Sequence, residues 1–295
     1  MSRVTVTGGT GLIGRHVVEA LRARGDEVTV LSRSAAGTTR WPDPTAAPPP
    51  PEALAGRDGV IHLLGENVAQ RWTAKARQAI RESRELGTRR LVEGVAALDP
   101  GERPRALVSM SAIGRYGARG DERVDESEPA GDDFLAQVVV AWETEARRAS
   151  ELGVRVAIAR TGVVLAPGGG ALDKMLPPFR MGVGGPVAGG RQFVPWVHLD
   201  DVVGALLFLL DSGDGTYNVT APEPVTNREL SKALGRALRR PAVLPVPALA
   251  IRALYGEMAW IVTTGVRAVP KRLTEAGYEF KRPDLDDALR AATGV

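Results

Sequence analysis

Cysteine is absent from the 295 residues, and that one absence removes disulfides, thiolate metal sites and a cysteine nucleophile together. Histidine is nearly as scarce. His16, His62 and His198 lie far apart with no ligand spacing between them, so no metal site is expected. Aromatic residues make up 5% of the chain, and no run of Lys or Arg carries them interleaved, which argues against nucleic acid as a partner. The net charge of +3, from 38 basic and 35 acidic residues, is a slight excess rather than a polybasic surface. Long apolar runs are missing too. The most apolar late stretch, Pro247 to Val269, is interrupted by Arg252, Glu257 and Arg267, so no membrane partner is expected. No charged-then-apolar leader precedes the first strand pattern, and the expected location is cytoplasmic.

What remains is enough for a buried core: 44% of residues are hydrophobic, over a length that suits one large α/β unit with an appended lobe. Arg3 to Thr7 reads as a short buried strand, Leu12 to Arg24 as a helix ending at Gly25, and Glu27 to Leu31 as a second strand. Ala35 to Pro51, with four consecutive prolines at its end, reads as an extended surface connection. Strands follow at Gly59 to Leu64, Arg105 to Met110 and Val154 to Ala159, separated by helical patterns over Trp72 to Leu98 and Asp133 to Leu152. Strands alternating with helices predict a mostly parallel sheet covered on both faces. Beyond Arg160 the rhythm changes. A Gly/Pro-rich segment, Ala166 to Gly190, precedes a strand at Phe193 to Val197 and a helix at Asp200 to Leu210. Helices then follow around Asn227 to Arg239, Pro247 to Ala268 and Asp284 to Ala292. The expected division is a core over 1–164, rejoined by 193–212, and a smaller lobe from 165–192 and 213–295.

The strongest local signal is Thr7-Gly8-Gly9-Thr10-Gly11-Leu12-Ile13-Gly14, between the first strand and the first helix. A chain that turns sharply, brings its backbone close to a pyrophosphate and packs a helix onto a sheet needs residues without Cβ at those points. The helix start then offers free N–H groups and a partial positive charge to the anion. The second strand ends in Leu31-Ser32-Arg33-Ser34, with no carboxylate to receive a ribose 2′-hydroxyl. Arg33 can fork onto a 2′-phosphate and Ser32 can add a hydroxyl, so the expected cofactor is NADP(H) rather than NAD.

These residues resemble the extended short-chain dehydrogenase/reductase family, the group that contains nucleotide-sugar epimerases and dehydratases. His62-Leu63-Leu64-Gly65 is similar to the family's third-strand turn, Leu107 to Ala112 to its strand ending in a catalytic serine, and Phe193 to Val202 to its late strand-to-helix segment. A closer resemblance is to an atypical branch, epimerase-family proteins of unknown substrate. It rests on Gly65-Glu66-Asn67, Arg71-Trp72, Ser83-Arg84, Arg160 to Leu165, Gly168 to Pro186 and Val269 to Leu273. The resemblance implies a Rossmann-type doubly wound parallel sheet with a smaller C-terminal substrate lobe. It implies cofactor contacts from Gly8, Thr10, Gly11, Leu12, Ile13, Gly14, Ser32 and Arg33 in the first half. Further along, it implies contacts from Leu63, Leu64, Gly65, Glu66, Arg84, Ser109, Arg160, Thr161 and Gly162.

One departure stands against that match. The family's usual proton donor is a Tyr followed four residues later by Lys. Here the residues four after Tyr116, Tyr217, Tyr255 and Tyr278 are Gly120, Ala221, Ala259 and Arg282, and the expected positions fall on Leu135 and Val139. Ser111 can bind a substrate hydroxyl or carbonyl, or cap its strand. Tyr116 can replace the missing tyrosine, or be a loop aromatic. Glu66, beside an apolar cofactor face, can serve as acid or base, or be ion-paired. On the substrate side stand Asn67 and Lys174, the latter one of five lysines against 33 arginines, then Arg191, Gln192 and Trp196. By family analogy the last three meet a diphosphate and a base; the alternative is an ion pair and a core tryptophan. His198 reads as a histidine satisfied by Asp200 or Asp201. Trp260, Met258 and Ile261 read as core or subunit interface, consistent with a homodimer. Two functions follow: an NADP(H)-dependent oxidoreductase or epimerase-like enzyme on a small anionic or nucleotide-sugar-like substrate, or a catalytically inactive NADP(H)-binding sensor or interaction protein.

Overall fold

Val4 and Val6 point to one side of the first strand, Thr5 and Thr7 to the other, and none of the four has any exposure. Burial on both faces is what a central strand of a parallel sheet requires. The computed structural model of the chain describes residues 1–33 and 39–295, so Ser34 and residues 35–38 of the expected surface connection lie outside the described residues. The strands up to the middle of the chain are β1 Arg3–Thr7, β2 Glu27–Ser32, β3 Thr39–Arg40, β4 Gly59–His62, β5 Ala106–Ala112, β6 Arg123–Val124 and β7 Arg155–Thr161. The later ones are β8 Val163–Leu165, β9 Phe193–Val194, β10 Trp196–His198, β11 Gly215–Val219, β12 Val225–Thr226 and β13 Arg267–Ala268.

The main sheet has the order β11-β7-β5-β4-β1-β2-β3, with every neighbouring pair parallel. The chain builds outward from β1 to β2 and β3, then returns across β1 to β4 and continues the other way. The carboxyl ends of β1 and β4 therefore flank the point where strand order reverses, the place where an open α/β sheet leaves a crevice. Alternation along the strands feeds two cores. Val30, Ile61, Val108, Ala157 and Ala159 join helices α1 (Leu12–Ala23) and α5 (Leu199–Ser212) on one face. Leu31, Val60, Leu107, Val156 and Ile158 join α2 (Ala74–Ala96) and α3 (Phe134–Arg147) on the other. The expected α/β, doubly wound class is the one observed.

A third core gathers α4 (Gly170–Arg180), α6 (Asn227–Leu238) and α10 (Leu285–Thr293) around Trp196 and Leu165. Helix α4 lies within the Gly/Pro-rich segment Ala166 to Gly190, where no helix was expected. Leu172, Leu176 and Phe179 nevertheless recur at i, i+4 and i+7 and are buried, while Pro177 faces solvent in the last turn. The helix expected over Pro247 to Ala268 is instead α7 Ala248–Tyr255, a 3-10 turn at Gly256–Met258, α8 Ala259–Thr263 and strand β13. The break falls at Gly256, with φ +61. The expected strand Phe193 to Val197 divides at Pro195, and its halves pair with different partners, β12 and β8.

One boundary needs correcting. Gly215–Val219, assigned above to the lobe, is the edge strand of the main sheet, paired from Gly215↔Ala157 to Val219↔Thr161. Its Tyr217 and Val219, with Leu273 of α9 (Lys271–Glu275), belong to the first core. No helix among the described residues is long and apolar enough to cross a membrane. Leu206 on α5 has no exposure and sits in the first core, so Leu206→Ala should lower stability by about 2–5 kcal/mol in denaturant titration, with the slope of the transition unchanged.

Candidate functional site

The glycines of the first turn are there because nothing larger fits. Gly8 has φ +67, and a Cβ on it would lie 2.8 Å from the Leu63 carbonyl oxygen. A Cβ on Gly14 would lie 2.2 Å from the Gly8 carbonyl oxygen, closer than any side chain allows. The Gly11 N–H donates to that same Gly8 oxygen at 3.0 Å, closing the turn. Helix α1 starts at Gly11 with no side-chain cap and no acidic residue in its first turn, so its leading N–H groups are left for an anion. Thr10 and Gly11 are exposed, and Leu12 and Ile13 half-buried. Strand β2 runs beside this turn, with Leu31 opposite Thr7, half-buried Ser32 at its end and Arg33 exposed just beyond.

On the other side of the turn, β4 ends in His62, which has no exposure. Its Nδ1 is 2.7 Å from Thr7 Oγ1 and its Nε2 2.9 Å from Thr88 Oγ1, so a neutral imidazole donates to one and accepts from the other. Burial pushes its pKa down to about 3. The Leu63 N–H donates to Thr7 Oγ1 at 3.2 Å, fixing the strand exit directly against Gly8. The Glu66 N–H then donates to Ser83 Oγ at 2.9 Å, and Glu66 itself is half-buried. Arg84, whose pKa burial lowers to about 10 against the opposing pull of Glu66, lies over the Trp142 ring at 5.2 Å and against Gly65. Two later segments reach this edge: Leu12 fills the space beside Gly169 and Gly170, and Lys174 Nζ donates to the Ala69 carbonyl.

Three expected site residues share one network: Ser111 and Arg160 bond Glu143, a carboxylate with no side-chain exposure that was not among the expected site residues, and Tyr116 bonds Arg160. Ser111 Oγ donates to Glu143 Oε1 at 2.7 Å, and Arg160 grips both carboxylate oxygens through Nε at 2.7 Å and Nη2 at 2.9 Å. The other terminal nitrogen of Arg160 donates to Tyr116 Oη at 2.8 Å, and Tyr116 donates on to Asn218 Oδ1 at 2.8 Å. Burial pushes Glu143 up, but the hydrogen bonds and charge of Arg160, then Ser111, hold it below the ordinary carboxylate range. Burial raises Tyr116, with Arg160 acting against it. Tyr116 is 1% exposed and both roles of its hydroxyl are filled, so it does not stand in for a proton donor at the strand ends. Arg160 is a buried counter-ion, and the Ser111 proton is committed to Glu143. Ser109 has no exposure and Thr161 is 8% exposed, while the close approach of Gly162 serves the Pro195 carbonyl. The missed signal was a charge on an apolar helix face: Glu143 follows buried Val139 by four residues.

The substrate-side candidates also separate. Asn67 is exposed, with its Oδ1 accepting the Ala69 N–H at 2.9 Å, and Arg191 is exposed without an ion pair among the described residues. Gln192 donates to the Val187 and Val262 carbonyls, and Trp196 is 1% exposed in the third core with its indole N–H on the Glu223 carbonyl. Trp196 is buried with its one donor spent inside the protein, while Gln192 is half-buried and spends its N–H donors on backbone carbonyls. His198 Nδ1 accepts the Asp200 N–H at 3.1 Å as a helix cap, but its buried Nε2 has no partner among the described residues. No cluster of three His, Asp or Glu suited to a metal occurs among the described residues.

This geometry has known counterparts. The model of the NAD dependent epimerase/dehydratase family matches residues 4–220, and a domain of unknown function (DUF1731) matches residues 246–292. The chain is similar to an epimerase family protein of Mycobacterium bovis (Mb2239), 41% identical over 98% of this chain and 97% of that protein. It is similar to the crystal structure of the human epimerase family protein SDR39U1 with NADPH, at 35% identity, TM-score 0.90 and 99% coverage of both chains. A nucleoside-diphosphate sugar epimerase from Corynebacterium glutamicum superposes with TM-score 0.78 at 33% identity, over 99% of this chain and 58% of that one.

Two of the buried acid–base groups, His62 and Glu143, make stability fall as pH is lowered. His62 folds neutral with its pKa depressed from 6.5 to about 3, so its contribution is complete above pH 6.5 and is lost as pH falls. The slope in that window should approach ~1.4 kcal/mol per pH unit, and His62→Gln should flatten it in denaturation measured from pH 7 to 4. Glu143, also depressed, adds a second loss only below its ordinary 4.5. At pH 7, Glu143→Leu should cost about 3–5 kcal/mol, because it strands the Arg160 charge in the interior.

Proposed function

The chain belongs to the NAD dependent epimerase/dehydratase family, and from that premise we propose that it binds NADP(H) along the carboxyl edge of the sheet and oxidises or reduces a small substrate there. The observation that carries the reading is the fit of the first turn to a dinucleotide. Gly8 and Gly14 let the turn close tightly against the Leu63 and Gly8 carbonyls where a Cβ would clash, α1 offers uncapped N–H groups, and β2 ends without a carboxylate. In this reading the Gly8–Gly14 backbone holds the pyrophosphate, Arg33 and Ser32 take the 2′-phosphate, and Leu63 to Gly65 line the approach to the crevice. When bound, the nicotinamide supplies hydride acceptance or donation.

The remaining chemistry falls to this chain's own residues. With Tyr116 and Ser111 held on the Glu143–Arg160 pair, Glu66 is the carboxyl group at the strand exit that can hold or release a proton toward a substrate. The substrate is a small anion in this reading, since exposed Arg71 and the cation of Lys174, which reaches the Ala69 carbonyl, stand on or against the loop after β4. A second reading, an NADP(H)-binding sensor without turnover, is favoured by one observation: the family's serine and the nearest tyrosine are sequestered in the interior.

Titration with NADPH and NADH, followed by nicotinamide fluorescence, tests the proposal. NADPH should bind at least about tenfold tighter than NADH. Arg33→Ala should remove most of that preference without weakening NADH, and Gly14→Ala should abolish both. Equal binding of the two dinucleotides by the unaltered protein would sink the NADP assignment. Turnover lost in Glu66→Gln with NADPH affinity intact supports the enzyme; unchanged NADPH oxidation in that variant removes Glu66 from the chemistry.

A further inference from the structure

The loop 63–73 starts against Gly8 and ends at a second feature. Its Trp72 meets Phe134, the first residue of α3, edge to face, with ring centroids 5.3 Å apart. Across from them, α8 presents Trp260, 43% exposed, and the three rings wall a cleft of about 580 Å³. The Trp72 indole N–H is used on the Val68 carbonyl at 3.0 Å, so this side chain faces the cleft with no unmet donor. A space of this size, lined by aromatic rings, suits a small organic molecule.

The charges on the walls narrow the choice. Arg77 lies over the Phe134 ring at 4.2 Å and is ion-paired with Glu257 across the cleft. Asp133 spends one carboxylate oxygen capping α3, on the Leu135 and Ala136 N–H groups. Arg252 of α7 is exposed and has no carboxylate partner among the described residues. Two guanidinia are thus set against two carboxylates, and only Arg252 is uncommitted. A nucleoside diphosphate brings at least two negative charges, more than one uncommitted guanidinium in the cleft matches, and Trp196, the aromatic expected to stack on its base, is buried in the third core.

The geometry points to this cleft as the substrate site, for a flat aromatic or conjugated ring that carries one carboxylate: the ring between Trp72, Phe134 and Trp260, the carboxylate on Arg252. The inference rests on the reading above that a small anion is bound at the carboxyl edge. It departs from nucleotide-sugar chemistry by requiring one anionic charge and a ring stacked on tryptophan.

Calorimetric titration of NADPH-loaded protein with 2-naphthoate, its neutral counterpart 2-naphthol, and UDP-glucose tests it. The expected result is saturable, one-to-one binding of 2-naphthoate. Arg252→Ala should weaken it by about tenfold while leaving 2-naphthol unchanged, and Trp260→Ala should weaken both by about tenfold, with Trp260→Phe restoring most of the loss. NADPH affinity unchanged in the variants shows that they fold. No binding of 2-naphthoate, binding that neither variant reduces, or tighter binding of UDP-glucose that Arg252→Ala weakens would each overturn the assignment. The same titrations run without dinucleotide separate the two proposals, because failure of NADPH to bind sinks the cofactor reading and leaves the naphthoate result to be judged by itself.

Discussion

A carboxylate with no exposure must be surrounded by donors, and Glu143 organises one side of the sheet's carboxyl edge by that requirement. Leaving it unpaired would cost several kcal/mol, so the chain brings Arg160 from β7, Ser111 from β5 and Arg147 from the next turn of α3 to its two oxygens. Arg160 in turn fixes Tyr116, Tyr116 fixes Asn218 on β11, and the Asn218 side chain donates to the Val269 carbonyl at 3.0 Å. One charge thereby ties the edge strand and the C-terminal segment to the centre of the sheet.

That commitment has a chemical consequence. The serine that the family resemblance marks as catalytic and the tyrosine that could replace the missing proton donor lie at and just beyond the end of β5, yet here each is a member of a satisfied, buried network. Networks of this kind hold geometry well and release protons poorly, since every hydrogen bond is already matched. The open, half-exposed part of the edge is instead the loop after β4, where Glu66 and Asn67 stand, with Arg84 of α2 packed against Gly65. The same loop joins the dinucleotide cradle to the aromatic cleft, through Leu63 at one end and Trp72 at the other. Cofactor and substrate readings therefore meet on a single segment, and His62 sets its origin by bonding β1 to α2 beneath it.

Much of the frame was legible in the chain. The Gly8–Gly14 spacing, the alternation that splits Val60 from Ile61 and Leu107 from Val108, and the carboxylate-free end of β2 all depend on contacts within a few residues or on a fixed period of two. The errors share the opposite property. Leu172, Leu176 and Phe179 make a helix of a proline-containing segment because the third core accepts them. Gly215–Val219 joins the main sheet because β7 offers it an open edge. The partners of Tyr116 and Arg160 were equally hidden, because they lie 102 and 17 residues away, at Asn218 and Glu143.

The sequence by itself determined the class of sheet, the position of the sharp turn that a dinucleotide would need, and the lack of an acidic residue beside it. These are local demands of backbone sterics and periodicity, satisfied or violated within one strand and one helix. Only the tertiary structure decided which polar side chains remain available. Burial of Glu143 draws Ser111, Tyr116 and Arg160 inward, while the Arg77–Glu257 ion pair between α2 and the 3-10 turn at Gly256–Met258 leaves Arg252 uncommitted beside three aromatic rings. Availability is a balance between desolvation and partnership, and the partners come from strands and helices that meet only when the chain is folded.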